Sequence, residues 1–146
     1  METVVRDTIE IHKRLVAQFE TCSQGVVIAM ADLIADCFNQ GCCLYICGNG
    51  GSAADAQHIA GEFIGRFRKE RRALPAVALT TDTSVLTCIG NDYIFKDVFV
   101  RQVEALVKPG YILWAFSTSG AQEIHLLAYH IICDLVEQKV CGTKFN

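Results

Sequence analysis

The stretch that most constrains this chain is residues 42–66, CCLYICGNGGSAADAQHIAGEFIGR, which reads as a buried strand, a glycine-rich turn and a helix. Leu44, Tyr45, Ile46 and Cys47 are apolar without a break. That is the pattern of a central parallel strand covered on both faces. Gly48, Asn49, Gly50, Gly51 and Ser52 follow at once. Glycines there let the backbone approach a ligand and take positive φ. Ser52 is placed to cap a helix beginning near Ala53, whose free N–H groups point at whatever occupies the turn. The natural guest is a phosphate, although a glycine turn by itself is equally a tight connection. His58 and Glu62 are four residues apart on the same helix, hence about 40° apart around it. One segment therefore offers an anion cradle and, about two turns on, a base or metal ligand.

The flanking sequence alternates helices and strands. Residues 2–20 read as a helix, with Val4, Val5, Thr8, Ile9, Ile11, Leu15 and Phe19 near helical spacing. Residues 24–40 read as a second, with Val27, Met30, Leu33, Ile34 and Phe38 on one stripe and Gly41 ending it. Pro75 opens a strand over Ala76–Leu79, and Thr80, Thr81 and Asp82 start a helix that Gly90-Asn91-Asp92 interrupts. A further helix is expected over Ile94–Val107, then a turn at Pro109-Gly110 and a strand over Tyr111–Phe116. That strand runs into Ser117-Thr118-Ser119-Gly120, which is either a helix cap or a second phosphate cradle. Two cradles favour a ligand site, because open parallel sheets bind ligands outside the carboxyl ends of their strands. Residues 122–138 form the last expected helix, with Ile124, Leu127, Ala128, Ile131, Ile132 and Leu135 as its apolar stripe. The alternation predicts an α/β doubly wound parallel sheet.

Composition excludes several classes. At 146 residues, half of them hydrophobic and a fifth charged, the chain can build one real core. The apolar excess hints at burial in an oligomer. A net charge of −3 with no basic block argues against a nucleic-acid partner. No apolar run reaches membrane-span length, so no membrane partner is expected. The N-terminus METVVRDTIEIHKRL is charged and amphipathic, unlike a secretion signal. Of eight cysteines, Cys43, Cys47, Cys88 and Cys133 sit in apolar runs and there is no CxxC. Buried reduced thiols in a cytoplasmic protein follow. Lys69, Arg71 and Arg72 read as a solvated loop. Arg66, one turn past Glu62, is placed to pair with it, to reach a phosphate, or to form a surface ion pair.

GNGGSAADAQHIAGEFIGRF resembles the signature of bacterial phosphoheptose isomerases, members of the sugar-isomerase (SIS) domain family. The similarity continues through LPAVALTTDTSVLTCIGNDYIF, through STSG and into QEIHLLAYHIICDLVE. It implies a SIS-type, flavodoxin-like sheet in a single domain over 1–146. N-terminal helices would occupy 1–40, a sheet core 41–120 and a C-terminal helix 121–140. The N-terminal helices would pack in a helical bundle between the subunits of a homotetramer, with sites at subunit interfaces. The family has a substantial segment, more than one βαβ unit, that is missing here between Gly120 and Ala121.

The resemblance implies isomerisation of sedoheptulose 7-phosphate to D-glycero-D-manno-heptose 7-phosphate, the first step of nucleotide-activated heptose synthesis for lipopolysaccharide core. A proton leaves one carbon beside a carbonyl and returns to its neighbour through an enediol, which needs an acid and a base. By resemblance these are Glu62 and His130. Asn49, Gly50, Gly51, Ser52, Ser117, Thr118 and Ser119 would hold phosphate and hydroxyls. Asp92 and Arg66 would orient the sugar, and Gln122 would polarise it or bind metal. His58, Glu62, Gln122 and His130 also compose a zinc site, one Zn2+ per subunit, although glutamine is a poor zinc ligand. His125 receives no role. Two other SIS functions compete: a non-catalytic relative that binds a replication-initiation protein, and a sugar-phosphate sensor. Histidine at 130 favours the enzyme, and no DNA-binding domain accompanies the chain.

Overall fold

In a computed structural model, which describes residues 2–117 and 122–142, the glycine turn lies at the end of the middle strand of a parallel sheet. β1 (Leu44–Cys47) pairs on one side with β2 (Ala76–Ala78) and on the other with β3 (Ile112–Ala115). Leu44 aligns with Ala76 and Ile112, and Cys47 with Ala115. The chain crosses from β1 to one neighbour and then to the other, so the sheet's topological switch point is the carboxyl end of β1.

The helices are α1 (Glu2–Cys22), α2 (Gln24–Asn39), α3 (Gly51–Ile64), α4 (Thr83–Asp92), α5 (Val100–Leu106) and α6 (Gln122–Gly142). Alternate residues of β1 face two cores, which explains why all four are buried and apolar. Leu44 and Ile46 join Ile34 and Phe38 of α2, Ile59 and Phe63 of α3, and Tyr129, Ile132 and Val136 of α6. Tyr45 and Cys47 meet Leu79, with Phe99, Val103 and Tyr111 packed around them. Each fully buried side chain of this size contributes ~1.5–3 kcal/mol. Phe38 and Phe63 meet edge to face with centroids 5.2 Å apart, fixing α2 against α3. Gly41, at φ +73°, ends α2 as expected.

Three details differ from the sequence reading. The expected helix over Ile94–Val107 is broken into a 3₁₀ turn, Phe95–Asp97, and α5. The buried Gln102 side chain donates to the carbonyls of Val98 and Leu79, docking α5 on the end of β2. Gly90-Asn91-Asp92 completes α4 instead of interrupting it, the helix being started by Asp82, which accepts from Val85 N–H. On α2, Leu33 points to solvent, and on α6 it is Tyr129, Cys133, Val136 and Val140, not Leu127, that enter the core.

α1 meets α2 at a 67° bend and contains no buried residue. Val4, Val5, Ile9 and Ile11 lie exposed along it. β3 is an edge strand with Leu113 exposed. Among the described residues no single helix is long and apolar enough to cross a membrane. All eight cysteines are free thiols. Cys37, Cys47 and Cys133 are buried, Cys43 is half-buried and Cys88 is exposed on α4.

Candidate active site

The site begins at the glycine turn. α3 starts at Gly51, earlier than the sequence suggests, and Gly50 at φ +59° precedes it. A Cβ on Gly48 would stand 2.6 Å from Ser52 Cβ. Ser52 therefore packs down onto the turn and is not the cap expected of it. It is 1% exposed and its Oγ has no partner among the described residues. Gly48, Asn49, Gly50 and Ala53 line one side of a cavity of about 500 Å3, and Thr87, Gly90, Asn91, Phe95 and Phe99 line the other. The α4 and 3₁₀ contribution was not legible as site residues in sequence. Asp92 lies beside this wall, at the exposed end of α4. Asn91 Nδ2 donates to Asp92 at 2.9 Å and Cys88 Sγ at 3.4 Å, and both hold its carboxyl below the usual range.

The second expected cradle leaves β3 beside the first. Phe116 N–H donates to the Cys47 carbonyl, so the strand ends adjacent to the glycine turn, and exposed Ser117 follows. Thr118 and Ser119 lie outside the described residues, as does the side chain of Gln122; its backbone begins α6.

α3 and α6 bring three of the four candidate metal ligands together. His58 Nε2 is 3.2 Å from Glu62 Oε1 and 3.3 Å from His130 Nε2. Ligand atoms of all three lie within 4.8 Å of one another. Tyr129 packs behind both rings, with centroids 5.8 Å from His58 and 4.8 Å from His130. Burial pushes its hydroxyl up to about 12, with Asp55 adding to the effect, so it stays protonated. Phe67 stacks on His130 from the other side at 5.5 Å. His125 is elsewhere, against Phe116, with Nδ1 lacking a partner among the described residues.

Of the three placements open to Arg66, the structure shows the surface ion pair. α3 ends at Ile64, and Arg66 lies beyond it, exposed, paired with Glu70 at 3.0 Å and not with Glu62. The cause is Arg71, which the basic run concealed. Its guanidinium is 3% exposed and donates to the carbonyls of Glu62, Phe63 and Gly65, closing the helix end. Arg71 Nε also donates to Glu137 of α6 at 3.0 Å. Glu137 is 1% exposed and accepts from the N–H groups of Phe67, Arg68 and Lys69 as well. Burial alone would push the Glu137 carboxyl up, but these three N–H groups and Arg71 leave it below its ordinary range. Sequence held one hint of this pair: Glu137 falls four residues after Cys133, on the buried stripe of α6.

Cradle and cluster occupy different parts of α3. Glu62 follows Ser52 by ten residues, ~15 Å along a helix. The cavity at the turn is not lined by His58, Glu62 or His130.

The SIS domain model matches residues 9–129. A phosphoheptose isomerase from Geotalea uraniireducens is 46% identical over 185 residues, spanning 94% of this chain and 98% of its own. One from Synechocystis sp. is 40% identical over 177 residues, spanning 89% of this chain and 91% of its own. That alignment is longer than the 146-residue chain, so the relative carries residues with no counterpart here. Among solved structures, the phosphoheptose isomerase of Neisseria gonorrhoeae superposes with a TM-score of 0.74 at 38% identity, covering 95% of this chain and 70% of that one. The Francisella tularensis enzyme, at 24% identity and a TM-score of 0.73, shares the fold.

Proposed function

The chain belongs to the SIS-domain family, among the phosphoheptose isomerases, and on that premise we propose that it converts sedoheptulose 7-phosphate to D-glycero-D-manno-heptose 7-phosphate through an enediol. The observation that carries the reading is the convergence of His58, Glu62 and His130 from two helices. Isomerisation moves a proton between adjacent carbons, which needs a base and an acid near the same pair of atoms. Glu62 is the general base and His130 its acid/base partner. The turn of Asn49, Gly50, Gly51 and Ser52 takes the phosphate on the N-terminal N–H groups of α3. The orphaned Ser52 Oγ supports that role, since a bound oxygen would satisfy it. Ser117, Thr118 and Ser119 add hydroxyl contacts, while Asp92, Arg66 and Gln122 orient the sugar.

His58, Glu62 and His130 suit a zinc ion. Two imidazoles and one carboxylate are its usual donors, and ~2.0–2.1 Å bonds in tetrahedral geometry separate neighbouring ligands by ~3.3 Å. The observed separations of 3.2 and 3.3 Å fit. When bound, zinc would polarise the carbonyl and stabilise negative charge beside it.

Assembly belongs to the same proposal. The unburied apolar face of α1 suits a helical bundle in a homotetramer. The distance between cradle and cluster suits sites that a neighbouring subunit completes. A single domain spans 1–146, with helices over 1–40, the sheet core over 41–120 and the last helix over 121–140. The relatives' extra segment falls between Gly120 and Ala121, and the protein acts in the cytoplasm.

The test is turnover of sedoheptulose 7-phosphate by purified protein, with and without added Zn2+. Turnover that disappears in His130→Ala supports the enzyme. A folded protein that binds the sugar phosphate without converting it would replace this reading with a sensor.

A further inference from the structure

Two charged side chains that no part of the reaction uses are among the most buried in the molecule. Arg71 lies in the loop after α3, and Glu137 lies on α6 two turns beyond His130. A pair so enclosed costs desolvation, and its net worth to stability is small. Its geometry, however, reaches Glu62 directly and His130 through Phe67.

Arg71 Nη2 donates to the carbonyl of Glu62 itself at 2.7 Å, and Nη1 to that of Phe63 at 2.8 Å. Glu137 receives Arg71 Nε at 3.0 Å, so the carboxyl end of α3 is bolted to α6 through one guanidinium. Glu137 also holds the N–H of Phe67 at 3.1 Å, and the Phe67 ring stacks on His130. One carboxylate thus governs the register of α3, which carries His58 and Glu62, and a wall of the His130 ring. Arg68 adds a second tie to α6 at Asp134, 2.8 Å away, but both groups are more exposed.

We infer that Arg71 and Glu137 are positioning residues, which set α3 against α6 so that Glu62, His58 and His130 meet at working distance. The inference rests on the isomerase reading for its kinetic consequence, but not for its geometric one. A misplacement of ~1 Å in a reacting group costs ~100-fold in rate, whereas phosphate binding takes place at the other end of α3.

The experiment compares the unaltered chain with Glu137→Gln and Arg71→Lys. Lysine retains the charge beside Glu137, but with fewer donors and no planar fork it cannot hold Glu137 and the carbonyls of Glu62, Phe63, Gly65 and Arg72 all at once. In folded variants, verified by near-ultraviolet circular dichroism, kcat on sedoheptulose 7-phosphate is expected to fall ~10- to 100-fold with KM changed less than ~2-fold. The ring ¹⁵N–¹H signals of His58 and His130 are expected to move, and those of His12 on α1 to stay. A folded variant with unchanged kcat and unmoved rings overturns the inference. Loss of folding in both variants also overturns it, by assigning the pair to stability alone. If the unaltered chain does not turn over the sugar phosphate, the functional reading fails instead, and the histidine signals decide the inference by themselves.

Discussion

The two ends of α3 are built on opposite plans. At its start, the backbone is opened by glycines, Ser52 Oγ has no partner among the described residues, and a cavity of about 500 Å3 adjoins the turn. At its finish, Arg71 takes up the terminal carbonyls and Glu137 takes up the N–H groups of the departing loop. Unfilled hydrogen-bonding capacity is expensive to bury and persists where a ligand supplies the missing partner. Saturated capacity fixes geometry. The helix therefore has an open end and a saturated end, and His58, Glu62 and His130, the group proposed for the chemistry, meet toward the saturated one.

The largest effect separates the chemistry from the scaffold. Glu62→Gln and His130→Ala are each expected to lower kcat by ~100- to 10,000-fold, the range of positioned acid–base catalysis. Both side chains are half-buried at the α3–α6 seam, so any loss of stability read from urea midpoints should stay within ~0.5–3 kcal/mol. Normal turnover by either variant would remove that residue from the mechanism.

A middle-sized effect tests the open end. Gly48→Ala puts a Cβ 2.6 Å from Ser52 Cβ and 3.0 Å from Ser52 backbone atoms. No flexible side chain is available to yield, so the turn must widen. Urea denaturation should show a loss of ~1–3 kcal/mol, as overpacking does. Protection of the fold by inorganic phosphate, read as a rise in Tm, should weaken in parallel. A variant that keeps both stability and phosphate protection would show that the turn does not need its close approach.

The same contrast explains what sequence could and could not disclose. β1, the glycine turn and α3 were legible because each depends on local residue type: a continuous apolar run, glycines, then a helical pattern. The meeting of His58 and Glu62 was legible for the same reason, being a matter of helical spacing. His130 joined them only through family resemblance, since nothing local says that α6 lies beside α3. Arg71 was misread because a run of basic residues ordinarily faces water, and its partner is on a helix far along the chain. For Arg66, helical spacing leaves the partner open, and the surface ion pair, made with Glu70, is the alternative that forms, because α3 stops at Ile64 where Arg71 takes up its carbonyls. Ser52 is not the cap, which falls two residues earlier at Gly50, and only the close packing of Gly48 shows that its side chain turns inward.

The smallest effect compares the buried ion pair with its exposed neighbour. The folded Glu137 carboxyl has a pKa below its unfolded value, so the unfolded chain takes up the proton first. Its contribution to stability is complete above the ordinary glutamate range and is lost as pH falls through the depressed folded value. Urea midpoints of the unaltered chain should therefore decline on the acid side of that range. Glu70 also pairs with an arginine, Arg66, but their side chains are 84% and 65% exposed. Screened by water and salt, that pair contributes ~0.5 kcal/mol or less. Glu70→Gln should leave the neutral midpoint nearly unchanged and the acid decline as steep as before. A shallower decline in Glu70→Gln would mean that the loop's exposed charges carry the pH dependence. In that case the distinction between the saturated end of α3 and the solvated loop beyond it would no longer hold.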